Sequence, residues 1–260
     1  MAGYRLCTGR EAARPYYIEC IGTSIGTIEE LCFFFYEYMP LIDASVMNEA
    51  LTRWVAAELQ LEETAGQMEE ALRNRMDCAG FVLPVFEAAG WLDNKEMAAY
   101  KMRLDRFFAE SPAVRLKMKG DALVRCGRMN AASAIYWQII DESAHLKLAK
   151  EFLASVWYNK GVAEIKMLLY AEALSSFKTA VRLCEKPLYV RSVLLVLGLS
   201  KPRDKYVEEA AAFNPDPEVS KEADSLLQFV RGDAGNIRLP KDPDAFIRES
   251  VEAYHVATGV

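Results

Sequence analysis

The side chains able to carry chemistry in this chain of 260 residues are few and scattered. Its six cysteines, Cys7, Cys20, Cys32, Cys78, Cys126 and Cys184, include no C-x-x-C pair, the short spacing by which thiolates close around zinc. The two histidines, His145 and His255, lie far apart in the chain and away from any cysteine cluster. Four of the cysteines sit in apolar patterns of helical spacing and read as small buried hydrophobes, not as ligands or disulfides. Gly22-Thr23-Ser24-Ile25-Gly26-Thr27 leads into a helix, and helix N-termini attract phosphate. Without a P-loop lysine or a preceding strand run, it reads as a flexible entry capped by Thr27. Glu62-Glu63 and Glu69-Glu70 have helical-face spacing, but no histidine accompanies them, so they read as solvated surface and not as a di-metal site. Neither histidine is placed for an obvious catalytic triad, since His145 falls in a connection between helices and His255 near the tail. No catalytic residue, metal ligand or cofactor is expected.

The chain as a whole is ordinary globular material, 52% hydrophobic and 26% charged. This excludes a disordered chain, a collagen-like chain and a disulfide-stapled miniprotein. Its net charge is −6, with a pI near 5.2, and disfavours a dedicated nucleic-acid binder. The charge is uneven. Fourteen acidic and four basic residues between 26 and 100 leave a net −10 there, whereas residues 111–128 carry Arg115, Lys117, Lys119, Arg125 and Arg128 against Asp121 alone. The first residues lack an apolar signal core. The longest apolar run, Val193 to Leu199, is far short of the ~18 residues of a membrane helix. A cytoplasmic protein without membrane insertion is expected.

The elements that must position these residues are helices almost throughout. Ser111-Pro112, Asp216-Pro217 and Asp242-Pro243 each put a capping oxygen before a proline at the first helical position. Thr27 with Glu30, and Asp93 with Glu96, fit the capping box. Met97, Tyr100, Leu104, Phe107 and Phe108 make one apolar stripe, and Met47, Ala50, Leu51 and Trp54 another. Gly90, Gly120 and Gly232 suit helix ends or tight crossings. Only Tyr16 to Ile21 hints at a strand, and one strand makes no sheet. Residues 31–39, Leu-Cys-Phe-Phe-Phe-Tyr-Glu-Tyr-Met, are aromatic all round the helix. Such a helix is either central in the N-terminal half, the reading preferred here, or covered by a second copy of the chain in a homo-oligomer.

The strongest signal is internal repetition. Residues 157–187 place Trp157, Gly161, Tyr170, Ala173, Phe177 and Ala180, with Pro187 at the end, in an order that resembles the tetratricopeptide repeat. Small Gly161 and Ala173 let two antiparallel helices approach, and Trp157, Tyr170 and Phe177 fill the space around them. Gly120, Ala132 and Tyr136 precede Gly161, Ala173 and Phe177 by the same 41 residues. The family period is ~34, so about seven residues are inserted, assigned to the Ser143–Lys150 connection. The earlier copy has Leu116 for the signature Trp and Ile139 for the last Ala; the later one has Lys160 and Glu164 for the usual Leu and Tyr. Residues 187–213 have the length of a third helix pair without its markers.

The resemblance, over about residues 112–213, implies a right-handed α-solenoid of stacked antiparallel hairpins whose first helices line a groove for a partner segment. Carried over position by position, the groove is lined by Val114, Lys117, Asp121, Val124 and Arg125, then by Tyr158, Val162, Ile165 and Lys166 with Asn159 beside them. Some members of the family grip a peptide's C-terminal carboxylate with Lys and Asn. Lys117 and Asn159 match two such positions, but Asp121 stands where an Asn is wanted and would repel a carboxylate.

The expected fold is thus all-α: an irregular segment over 1–25, an acidic helical region of no recognised family over 26–110, repeats over 111–213 and capping helices over 214–260. The expected function is that of a non-catalytic adaptor or scaffold binding a protein or peptide, with an acidic segment as the natural partner for a mixed basic and aromatic groove. One alternative is a peptide-responsive transcription regulator with a helix-turn-helix over Phe86–Phe108, its second helix carrying Lys95, Lys101, Arg103 and Arg106; the net −10 around it argues against phosphate binding. Another is an enzyme of unknown class, which would need a pocket holding His145 or His255 beside a Ser, a Cys or an acid.

Overall fold

The computed structural model describes residues 9–74, 78–236 and 242–258, and it is helical nearly throughout. Cys7 lies outside the described residues, as does the rest of the irregular segment before residue 9. Two compact units divide the chain, Met1–Cys184 and Glu185–Val260.

The first unit opens on a hairpin that the sequence conceals. β1 (Tyr16–Ile18) pairs antiparallel with β2 (Thr23–Ile25), Tyr16 opposite Ile25 and Ile18 opposite Thr23. Its second strand is the Gly-Thr-Ser-Ile stretch read above as a flexible entry, so the expectation of a lone strand is corrected. Three residues are too few for alternation to register, and the turn rests on Gly22 at φ +67, a conformation open to glycine at little cost. Ile18 and Ile25 are buried. The indole of Trp54 donates to the carbonyl of Arg14 at 2.7 Å and ties the preceding segment down.

α1 (Ile28–Glu37) starts at the expected capping box: the Thr27 hydroxyl accepts from the Glu30 amide, and the Glu30 carboxylate accepts from the Thr27 amide. Leu31, Cys32, Phe34 and Phe35 are buried, and of the three phenylalanines on this helix only Phe33 is exposed. The ring of Phe35 meets Phe81 and Phe86 edge-on at 6.4 and 6.5 Å. Its helix is therefore central, as preferred above. A 3-10 turn (Met39–Leu41) leads to α2 (Glu49–Ala57), α3 (Glu62–Arg73), α4 (Cys78–Ala88) and α5 (Asn94–Ala109). α5 begins at the Asp93–Glu96 capping box and buries Tyr100, Leu104 and Phe107, with the Tyr100 hydroxyl donating to the Phe35 carbonyl at 2.7 Å. The two stripes are each one residue too wide: Phe108 and Ala50 are exposed.

After the Ser111 cap come α6 (Pro112–Arg125), α7 (Met129–Leu146), α8 (Lys150–Lys166) and α9 (Tyr170–Leu183), packed in consecutive pairs. The crossings of α6 with α7 and of α8 with α9 have one design. A Cβ added at Gly120 would lie 2.6 Å from the Tyr136 ring, and one at Gly161 2.7 Å from the Phe177 ring. The inserted residues do not lengthen the connection near Ser143. α7 has 18 residues and α8 17, against 14 in each of α6 and α9, a surplus of seven taken up as extra helical turn. Ser143-Ala144-His145-Leu146 contains no glycine or proline to stop a helix, so His145 lies in the last turn of α7 and not in a loop. Lys147, at φ 47, ends it. Basic α6 also packs on the 3-10 turn, where Lys119 pairs with Asp43 at 2.6 Å. One buried core runs from Ala12 through Ala163 without a break at residue 110.

In the second unit α10 (Pro187–Ser200) crosses α12 (Pro217–Asn236) so closely that a Cβ at Gly198 would collide with Leu227. α11 (Arg203–Ala211), which the repeat spacing pairs with α10, has no buried residue of its own. α12 and α13 (Pro243–Thr258) start as their caps imply: the Asp216 carboxylate accepts from the Glu218 amide at 2.8 Å, and that of Asp242 from the Ala245 amide at 3.0 Å. Gly232 is exposed, and a Cβ there would touch nothing, so it marks no crossing. Residues 237–241 and 259–260 of the expected capping region lie outside the described residues. Among the described residues, no helix is long and apolar enough to cross a membrane.

Candidate functional site

The residues expected to face a groove lie on α6 and α8, the first helices of the two pairs, which touch each other. Their polar members converge on one carboxylate. Oδ1 of Asp121 accepts from the Tyr136 hydroxyl and from Asn159 Nδ2, each at 2.6 Å, and Oδ2 accepts from Lys117 Nζ at 2.9 Å. The ring of Tyr136 is wholly buried. Burial, with the neighbouring Asp121 charge and hydrogen bond, raises its hydroxyl well above the ordinary tyrosine value, so it remains a donor. Lys117 and Asn159 thus hold a carboxylate, but it is the protein's own. The chemistry that the resemblance would direct at a ligand is satisfied between α6, α7 and α8.

The remaining positions are more open. Tyr158 is half-buried, its ring 5.4 Å from that of Phe177. Val114, Val124, Val162 and Ile165 are also half-buried, while Arg125 and Lys166 are exposed. Neither of these two cations has an ion pair among the described residues.

A second polar node explains the two departures from the repeat pattern. Lys160 pairs with Glu164, and the Ser176 hydroxyl donates to the other Glu164 oxygen at 2.6 Å. Glu164 and Ser176 are buried. The Lys160 ammonium also lies 5.5 and 5.8 Å from the ring centres of Trp157 and Trp137, within cation–π range. The two nodes answer each other at the 41-residue offset: Asp121 and Tyr136 correspond to Val162 and Phe177, while Glu164 and Ser176 correspond to Leu123 and Ile135. Each hairpin replaces one apolar pair of the other by a hydrogen-bonded pair. Aligning the two copies finds these partners, because a buried acid opposite a new hydroxyl is a matched exchange. In the sequence Tyr136 is a repeat marker and Glu164 a departure from the repeat pattern, and neither shows its hydrogen-bond partner.

Other candidates are dispersed. Glu62, Glu63, Glu69 and Glu70 are exposed on α3, as expected, and each histidine is exposed on its helix. Cys32 and Cys78 are buried in the core, the Cys32 thiol donating to the Val85 carbonyl at 3.6 Å; Cys20, half-buried beside Asp43, has its thiol pushed up to about 11, chiefly by burial. Among the described residues, no group of three or more His, Cys, Asp or Glu is placed to hold a metal ion. Of the basic residues on α5, Lys95 and Lys101 are exposed, while Arg103 donates to the Tyr36 carbonyl and lies over the rings of Tyr36 and Tyr100. Arg106 and Arg103 share a cleft with Arg125 of α6, a convergence that no sequence spacing announces. Comparison with protein-family models, with curated proteins and with solved structures gives no match to this chain.

Proposed function

We propose that the chain is a non-catalytic adaptor of tetratricopeptide-like build, which binds a protein or peptide segment along the surface of α6 and α8. The observation that carries this reading is the repeated crossing, Gly120 under Tyr136 and Gly161 under Phe177, which makes two consecutive hairpins of one design. Stacked units of this kind present the first helix of each pair to a partner. Because Asp121 neutralises Lys117 and engages Asn159, recognition rests on Val124, Val162 and Ile165 with the cations Arg125 and Lys166. An extended acidic segment with apolar side chains suits that surface; a free C-terminal carboxylate has no clamp there.

Affinity capture with the wild type and a Val162→Ser/Lys166→Glu variant tests the reading. Both substitutions lie on partly or fully exposed positions, so the circular dichroism spectrum is expected to stay unchanged while the captured partners are lost. Recovery of the same partners by both proteins refutes the assignment of the surface.

A further inference from the structure

Three arginines from two helices border one cleft in the first unit. Arg103 and Arg106 come from α5 and Arg125 from α6; Tyr36, Phe107 and Met118 supply apolar walls, and the space measures about 330 Å³. That falls in the lower range of small-molecule sites. Arg103 is already ordered by the Tyr36 carbonyl and by the faces of Tyr36 and Tyr100, at 5.0 and 5.3 Å. A guanidinium fixed in advance loses little freedom on meeting a ligand. Arg106 and Arg125 have no ion pair or hydrogen bond among the described residues, although Glu37 and Glu110 also border the cleft. Converging cations without ion pairs leave a local positive field that a bound anion relieves.

We propose that this cleft binds a phosphate monoester on an aromatic or apolar carrier. The three guanidinium groups outnumber the two glutamates. In that net positive field a phosphate monoester, with close to two charges, gains about twice what a monoanion gains, and it adds paired oxygens that match the guanidinium fork. Tyr36, Phe107 and Met118 then take the carrier. Arg125 is shared with the surface of α6 and α8 proposed for a peptide, whereas Arg103 and Arg106 belong to the cleft alone, so Arg106→Gln tests the cleft separately.

Isothermal titration of the full chain with phenyl phosphate, inorganic phosphate and phenyl sulfate tests it. Phenyl phosphate is expected to bind most tightly, inorganic phosphate more weakly for want of a carrier, and the monoanionic phenyl sulfate at least about tenfold more weakly than phenyl phosphate. Arg106→Gln and Arg125→Gln each remove one charged contact from an exposed position; each should weaken phenyl phosphate about tenfold with an unchanged thermal midpoint. Arg53→Gln, on α2, should change nothing. A short phosphotyrosyl peptide that binds more tightly than phenyl phosphate identifies a protein as the carrier, and one that binds no better identifies a small molecule. No binding of phenyl phosphate at millimolar concentration, or equal binding by the Arg106→Gln/Arg125→Gln double variant, overturns the proposal.

Discussion

Three donors meet at the Asp121 carboxylate, and the most sheltered of them, the Tyr136 hydroxyl, has no water to fall back on. Removing the acceptor leaves that hydroxyl unsatisfied in the core, which costs more than the bond itself contributes. Asp121→Ala is therefore expected to lower stability by about 2 kcal/mol, measured by urea unfolding followed by circular dichroism. The other hairpin holds apolar residues, Val162 and Phe177, at the two corresponding positions. Asp121→Val/Tyr136→Phe copies it and removes both partners together, so its stability should return to within about 1 kcal/mol of the wild type. A double variant as unstable as Asp121→Ala alone would show that the node matters through Asn159 or Lys117 and not through Tyr136.

Between helices, spacing is set by what the glycines lack. The backbones of α8 and α9 approach until the Phe177 ring lies where a Gly161 Cβ would be. Alanine is the better helix former by about 1 kcal/mol, yet at Gly161 it forces the ring aside, and overpacking of this kind costs about 1–3 kcal/mol. Gly161→Ala should therefore destabilise. Gly66→Ala, in α3 with nothing within 4 Å of the new methyl, should stabilise by up to about 1 kcal/mol. Thermal unfolding of the two variants reads the opposite signs directly; the same sign for both would mean that helix propensity alone governs these positions.

At this scale most of the fold was legible. Caps at Thr27, Asp93, Ser111, Asp216 and Asp242 are local chemistry, decided within four residues, and all of them start helices. The glycine–aromatic crossings were legible too, because a repeat writes the same contact twice. What stayed hidden was set by partners distant in sequence. Nothing near Thr23 announces a strand, since its partner Ile18 supplies the reason. The arginine cleft joins residue 36 to residue 125 through packing of α1, α5 and α6. The seven residues beyond the period of the resemblance were assigned to a connection, whereas α7 and α8 are together seven residues longer than α6 and α9, because helices lengthen wherever no residue stops them.

For the whole molecule, the change from acidic to basic at residue 110 is a change of charge and not a gap in packing. Leu123, Ile139 and Val156 belong to the same buried core as Phe35 and Phe86. A fragment of residues 1–184 is accordingly expected to unfold in one cooperative transition with a helical spectrum. A fragment of 111–184, which leaves α6 without the 3-10 turn and the core beside it, should show a broad transition or aggregate. If 111–184 unfolds as sharply as 1–184, the two parts do not depend on each other.

The Lys119–Asp43 pair has a consequence during synthesis. Its two members are 76 residues apart, and ribosomes add about 5–20 residues per second. The turn at Met39–Leu41 leaves the ribosome about 4–15 s before the helix that covers it. The nascent chain therefore carries an apolar surface waiting for its lid, and pauses in translation between codons 43 and 119 lengthen that wait.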